Sequence, residues 1–156
     1  MDGRVRVVIE NVGPRVSEGG AVRRCPGETV HAYADVFSDG HDAVRVELLY
    51  RPANRQEWAA VPMEPVGNDR WEGDFRVEAQ GEFLFTVRAW VDRLETLLRD
   101  FLKRVPGQAD KNDCRVLAEE LRLASRRASG EDFQVLDEAA ADLDASGAPE
   151  GVERIL

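Results

Sequence analysis

Few residues in this chain are of types that could do chemistry, and their spacing limits what chemistry is open. Nucleophilic catalysis needs a Ser or Cys, a base to activate it and a group to orient that base. The only histidines are His31 and His41, there is no GxSxG elbow, and neither Cys25 nor Cys114 has a catalytic setting. The two cysteines form no CxxC pair and no metal-ligand spacing. The densest group of metal-type ligands is "SDGHD", with Asp39, His41 and Asp42. Asp-Gly is also the favoured two-residue hairpin loop, and one loop supplies too few ligands in fixed geometry, so the stretch reads as a solvated β-hairpin turn. Glu72 and Asp74 in "GNDRWEGDF" could act as paired carboxylates, but thirty acidic residues produce such pairs by chance. Both face outward on a strand. No GxxxxGK[ST] phosphate loop occurs. The expectation is therefore no catalytic residue, no metal and no cofactor.

Three tryptophans could stack on sugar rings. Trp71 is in phase with Phe75 and Val77, which makes it a core residue of a strand. Trp90 falls on the face opposite Phe85 and Val87, beside Leu84 and Thr86, and is the candidate for contact with helices or another domain. Trp58 in "RQEWAAVP" fits either surroundings. Trp58 and Trp90 are the candidate glycan-binding residues.

Two kinds of element must position these side chains. From Arg4 to about Asp92 the apolar period is two. "ETVHAYADVF" places Val30, Ala32, Ala34 and Val36 on one face, and "AVRVELLYRP", "RWEGDFRV" and "EFLFTVRAWV" repeat the pattern. Turn-forming stretches separate them: "SEGG", "PGE", "SDGHD", "PANRQE", "VGND" and "AQGE". Short strands at this spacing predict an immunoglobulin-like antiparallel β-sandwich over residues 1–93. After Asp92 the period becomes helical, with Leu94, Leu97, Leu98, Phe101, Leu102 and Val105 on one stripe that Pro106-Gly107 ends. A second helix is expected from an Asp110 cap to about Ala128, with Leu117, Leu121, Ala124 and Ala128 inward. A third carries Phe133, Leu136, Ala140 and Leu143. Their short connections favour antiparallel packing. Residues 94–156 thus read as about three helices with a linker-like tail, an unfinished bundle or one that docks elsewhere, in a fold that is mainly β with α.

The totals narrow the partners. A net charge of -9 repels phosphate backbones and anionic lipid, which argues against nucleic acid and membranes. No apolar run approaches the roughly 18 residues of a membrane span. "MDGRVRVVIENV" lacks a signal-peptide core, so a cytoplasmic protein with reduced thiols is expected.

"RVVIENVGP", "ADVFSDGHD", "LLYRP", "VPMEPVGNDRWEGDF" and "FTVRAWVDR", in that order, resemble the N-terminal region of the bacterial α-1,4-glucan:maltose-1-phosphate maltosyltransferases of the α-amylase clan. The resemblance covers residues 4–104 well and the helical remainder more loosely. It implies a parent enzyme that transfers a maltosyl unit from α-maltose 1-phosphate to an α-glucan with retention, using two carboxylates in a (β/α)8 barrel. That barrel has no counterpart in these residues, so no catalytic residue carries over and this chain is expected to be a piece of a longer enzyme. The resemblance also implies that residues 94–156 are an incomplete helical insert of about three helices, and that the sandwich and this insertion build a homodimer. The apolar stripe of Leu97, Leu98, Phe101 and Leu102, expected to be exposed together with Trp90, supplies the candidate interface residues, because an apolar patch left uncovered marks an interface. The family often follows "AWVDR" with a Phe and then a Trp, where this chain has Leu94-Glu95-Thr96-Leu97.

Overall fold

A computed structural model describes residues 7–15, 22–103 and 111–146. The chain divides into two compact units, residues 1–91 and 92–156.

Among its described residues the first unit holds seven strands: β1 (Val7–Gly13), β2 (Thr29–Ser38), β3 (Val44–Pro52), β4 (Ala59–Pro62), β5 (Glu64–Gly67), β6 (Arg70–Arg76) and β7 (Phe83–Val91). They form a four-stranded sheet, β1-β2-β6-β5, and a three-stranded sheet, β4-β3-β7, with every pairing antiparallel. Period two decides what lies between them. Val30, Ala32, Ala34 and Val36 of β2, Val46 and Leu48 of β3, and Phe75 of β6 form one buried cluster with Met63 and Val77. Phe75 stacks on Tyr50 at 4.6 Å between ring centroids. Trp71 packs against this cluster, and its indole N–H donates to the Val36 carbonyl at 3.3 Å.

Two strands, β4 and β5, have no period that marks them in the sequence. Met63 lies between them and so joins the two sheets. Its N–H donates to Val46, and its side chain fills the space over Gly73, where a Cβ would stand 2.9 Å from Met63 Cγ. The β5–β6 hairpin closes through Asn68 and Asp69, both at positive φ (50° and 58°), the backbone that a tight twisted hairpin requires. "SDGHD" is not a hairpin. It follows β2 in one sheet and precedes β3 in the other, so it is a crossover between sheets.

The second unit holds α1 (Arg93–Leu102), α2 (Lys111–Ser125) and α3 (Glu131–Ser146). Asp92 caps α1, its carboxylate accepting from the Glu95 N–H at 2.9 Å. Leu98, Phe101, Cys114, Leu117, Ala118, Leu121, Ala139, Ala140 and Leu143 form the core, with Leu94, Leu97, Leu102 and Leu136 against it. α2 stops at Ser125, short of Ala128, and Phe133 is exposed rather than inward. An ion pair joins Arg122 to Asp144. The expected stop at Pro106-Gly107, the Asp110 cap and the tail lie outside the described residues. No helix among the described residues is long and apolar enough to cross a membrane.

Candidate functional site

The outer face of the three-stranded sheet gathers the side chains that β3 and β7 turn away from the core. Register sets them opposite one another: Arg45 with Trp90, Glu47 with Arg88, Leu49 with Thr86, and Arg51 with Leu84. Ala60 of β4 adds to Leu49 on the other side. Trp58 and Trp90 are 42% and 40% exposed, and Leu84 is also exposed. Most solvent-facing sheet faces are polar, so three large apolar side chains on this one mark a surface suited to contact.

Two arginines fix the tryptophans. The Arg51 guanidinium lies over Trp58 at 4.8 Å from the ring centroid and donates to the carbonyls of Ala53 and Arg55, while its Nε is buried without a partner. Arg88 forks onto Glu47, with Nε and a terminal nitrogen 3.2 and 2.5 Å from the same oxygen, and stands 5.6 Å from the Trp90 centroid. From Arg45 to Arg51 is six residues of strand, so the two indoles stand about 20 Å apart. They cannot grip one disaccharide together. The paired strands set three arginines and one glutamate on this face.

The stripe read as a candidate interface is placed differently. Leu98 and Phe101 are buried in the helical core, and Leu97 and Leu102 pack against it. Leu98 and Phe101 are thus covered by their own unit, and Leu97 and Leu102 only partly so. Trp90 alone of the five is exposed.

The other sheet carries two polar clusters that the sequence did not reveal. β2–β6 pairing sets His31 opposite Asp74 and Tyr33 opposite Glu72. His31 Nδ1 lies 2.7 Å from Asp74 and Nε2 lies 3.2 Å from Glu72, all near solvent. The hydrogen bond to Asp74, then the charges of Asp74 and Glu72, raise the His31 pKa above its ordinary value near 6.5. The pairing thus stabilises the protonated ring. Its contribution is complete below about pH 6.5 and is lost as pH rises through the raised folded-state value. Proton NMR of the ring should give a midpoint above 6.5, with Asp74→Asn lowering it more than Glu72→Gln. A midpoint unmoved by either change would refute the pairing.

In the second cluster Asp35 accepts from Arg70 at 2.5 Å and from Asn11 at 2.7 Å, which holds its carboxyl below the usual range. Arg70 also stacks on Tyr33, 4.6 Å from its centroid. Asp39, His41 and Asp42 stand in the crossover, and no group of three or more His, Cys, Asp or Glu among the described residues is placed to hold a metal. Cys25 is exposed and Cys114 is buried, and no disulfide links them.

Residues 5–156 match the family described as alpha-1,4-glucan:maltose-1-phosphate maltosyltransferase, domain N/S. The chain is 40% identical over 157 residues to the maltosyltransferase of Chlorobaculum tepidum, covering 99% of this chain and 23% of that protein. It is 41% identical over 103 residues to that of Salinibacter ruber, covering 65% and 16%. With that of Burkholderia pseudomallei it shares 34% identity over 146 residues, covering 90% and 13%. The chain spans less than a quarter of the length of these relatives.

Proposed function

Because this chain belongs to the maltosyltransferase N/S-domain family, we propose that it is a non-catalytic N-terminal part of an enzyme that moves maltosyl units from α-maltose 1-phosphate to α-1,4-glucan. The observation that carries this reading is the match of residues 5–156 to a domain of proteins whose greater length lies outside it. In the full-length parent the role is mechanical. The sandwich supports the catalytic barrel, and the two units contribute to a homodimer in the cytoplasm. The outer face of the three-stranded sheet supplies the docking surface, through Trp90, Leu84 and Trp58.

In the full-length enzyme, Trp90→Glu with Leu84→Glu is the direct test. Sedimentation and thermal inactivation are the readouts. The expected result is a weakened dimer or earlier inactivation, with kcat retained in the fraction still assembled. If assembly, inactivation and kcat are all unchanged, the face has no such role. Phosphate release from maltose 1-phosphate by this 156-residue chain alone is expected to be nil, and turnover would overturn the non-catalytic reading.

A second reading is favoured by one observation, the exposure of Trp58 and Trp90 on a single face. A long α-glucan laid along β3 could meet both indoles, whereas a disaccharide could meet only one. Titration with glycogen and with maltose, followed by tryptophan fluorescence, separates the readings. Quenching by glycogen that Trp58→Ala and Trp90→Ala each weaken would establish a glycan module. An unchanged signal would leave docking alone.

A further inference from the structure

The stretch "SDGHD" has no part in the faces described above, and its place in the fold changes what it can do. Ser38 ends β2 and Val44 opens β3, so residues 39–43 are the whole crossover between the two sheets. Asp39, Gly40 and His41 are exposed, while Ala43 is buried and anchors the far end. Gly40 has a φ of 110°, a backbone that residues with a side chain rarely adopt, and open space where a Cβ would stand. Its N–H has no hydrogen-bond partner among the described residues.

An aspartyl carboxyl and the amide nitrogen of the next residue are close enough along the chain to react and close a succinimide ring. Two barriers oppose this: the nitrogen is engaged in a hydrogen bond, or the side chain that follows crowds it. Asp35 meets both. It precedes β-branched Val36, whose N–H donates to the Asp69 carbonyl at 2.8 Å, and its own carboxylate is held by Arg70 and Asn11. Asp137, Asp142 and Asp144 precede residues inside α3, whose N–H groups bond within the helix. Asp39-Gly40 is the one Asp-Gly or Asn-Gly step among the described residues. Neither barrier stands there.

We infer that Asp39-Gly40 is a modification site, at which Asp39 converts to isoaspartate in the folded protein. The Gly40 nitrogen attacks Asp39 Cγ. A C–N bond forms, the amide proton and the carboxyl hydroxyl leave as water, and the succinimide results. Water then adds at either ring carbonyl. Addition at Cγ breaks the new bond and restores Asp39. Addition at the main-chain carbonyl of Asp39 breaks its bond to the Gly40 nitrogen, so the chain runs on through Cγ and leaves a free α-carboxylate. Water is the only co-reactant, and mass is unchanged. The main chain gains one carbon inside a crossover that lies outside both strand ladders, so β2 and β3 keep their register. The α-carboxylate so exposed is the substrate of an enzyme that methylates isoaspartyl groups. This site depends neither on the family assignment nor on the docking role proposed above.

Ageing of the full-length parent at neutral pH and physiological temperature tests the inference, with a synthetic peptide of residues 36–43, "VFSDGHDA", as the unfolded reference. Isoaspartate is measured by labelled methyl transfer with an isoaspartyl methyltransferase and located by fragmentation mass spectrometry. It should accumulate at Asp39 in the parent at a rate comparable to that of the peptide, and ahead of Asp35 and Asp144. Asp39→Glu keeps the charge and the glycine but needs a larger ring that closes far more slowly, so the methyl signal should be lost. Asp39→Asn, which loses ammonia in place of water, should convert faster. An unmodified Asp39 in a parent aged until the peptide has converted overturns the inference. An undiminished methyl signal in Asp39→Glu assigns the modification to another residue and also overturns it.

Discussion

Replacing Leu121 with alanine is expected to remove most of the stability of the helical unit. Its core is unusually small-chained: Ala118, Ala139 and Ala140 are buried where larger residues commonly stand. The fully buried large side chains there are Leu117, Leu121 and Leu143, and Leu121 is 0% exposed. Removing a buried leucine costs about 2–5 kcal/mol from lost transfer and residual cavity. A unit of this size holds only about 3–10 kcal/mol in all. Leu123, two residues on and 45% exposed, is the internal control, since truncation there should stay within about 0.5 kcal/mol. Denaturation followed by ellipticity at 222 nm measures both. Equal behaviour of the two variants would mean that the helices do not pack around Leu121.

Gly13→Ala is the second large effect, and it acts through Tyr33. A Cβ on Gly13 would stand 2.2 Å from Tyr33 Cζ and 2.6 Å from Cε2, closer than any real contact. The ring is not free to retreat. Arg70 lies across it, Asp35 holds Arg70, and Asn11, on the bulged part of β1 just before Gly13, holds Asp35. One methyl group therefore disturbs a chain of contacts across β1, β2 and β6. Overpacking of this kind costs about 1–3 kcal/mol. All three tryptophans lie within residues 1–91, so denaturation followed by their fluorescence reports on this unit. In a Tyr33→Ser background the same Gly13→Ala change should cost little, because nothing then occupies the space. The same penalty in both backgrounds would place the strain elsewhere.

Neither effect could be read from the chain alone, although much of the scaffold could. The strands β2, β3, β6 and β7 and the inward phase of Trp71 follow from a period of two, which needs only neighbouring residues to be visible. The helical stripe of Leu94, Leu97, Leu98, Phe101 and Leu102 was equally plain. A stripe tells that a face must be covered, but not by what. Here α2 and α3 supply side chains to the same core, which buries Leu98 and Phe101. β4 and β5 escaped notice because four-residue edge strands containing prolines carry no period. "SDGHD" has the residues of a hairpin turn, yet β2 and β3 belong to different sheets. Turn chemistry reports local backbone preference and is silent on which strand pairs with which.

By itself the sequence determined the alternation of elements, the change from strands to helices near Asp92, the acidic balance and the family resemblance. All of these reside in residue type and short-range spacing. The tertiary structure decided which outward side chains meet: His31 between Asp74 and Glu72, Arg70 over Tyr33, and Trp58 and Trp90 on one face. It also decided that β7 borders its sheet. Those outcomes depend on strand order and register, which join residues tens of positions apart. Local spacing cannot encode them, because the same alternating strand can pair in several orders and only the packed core selects one.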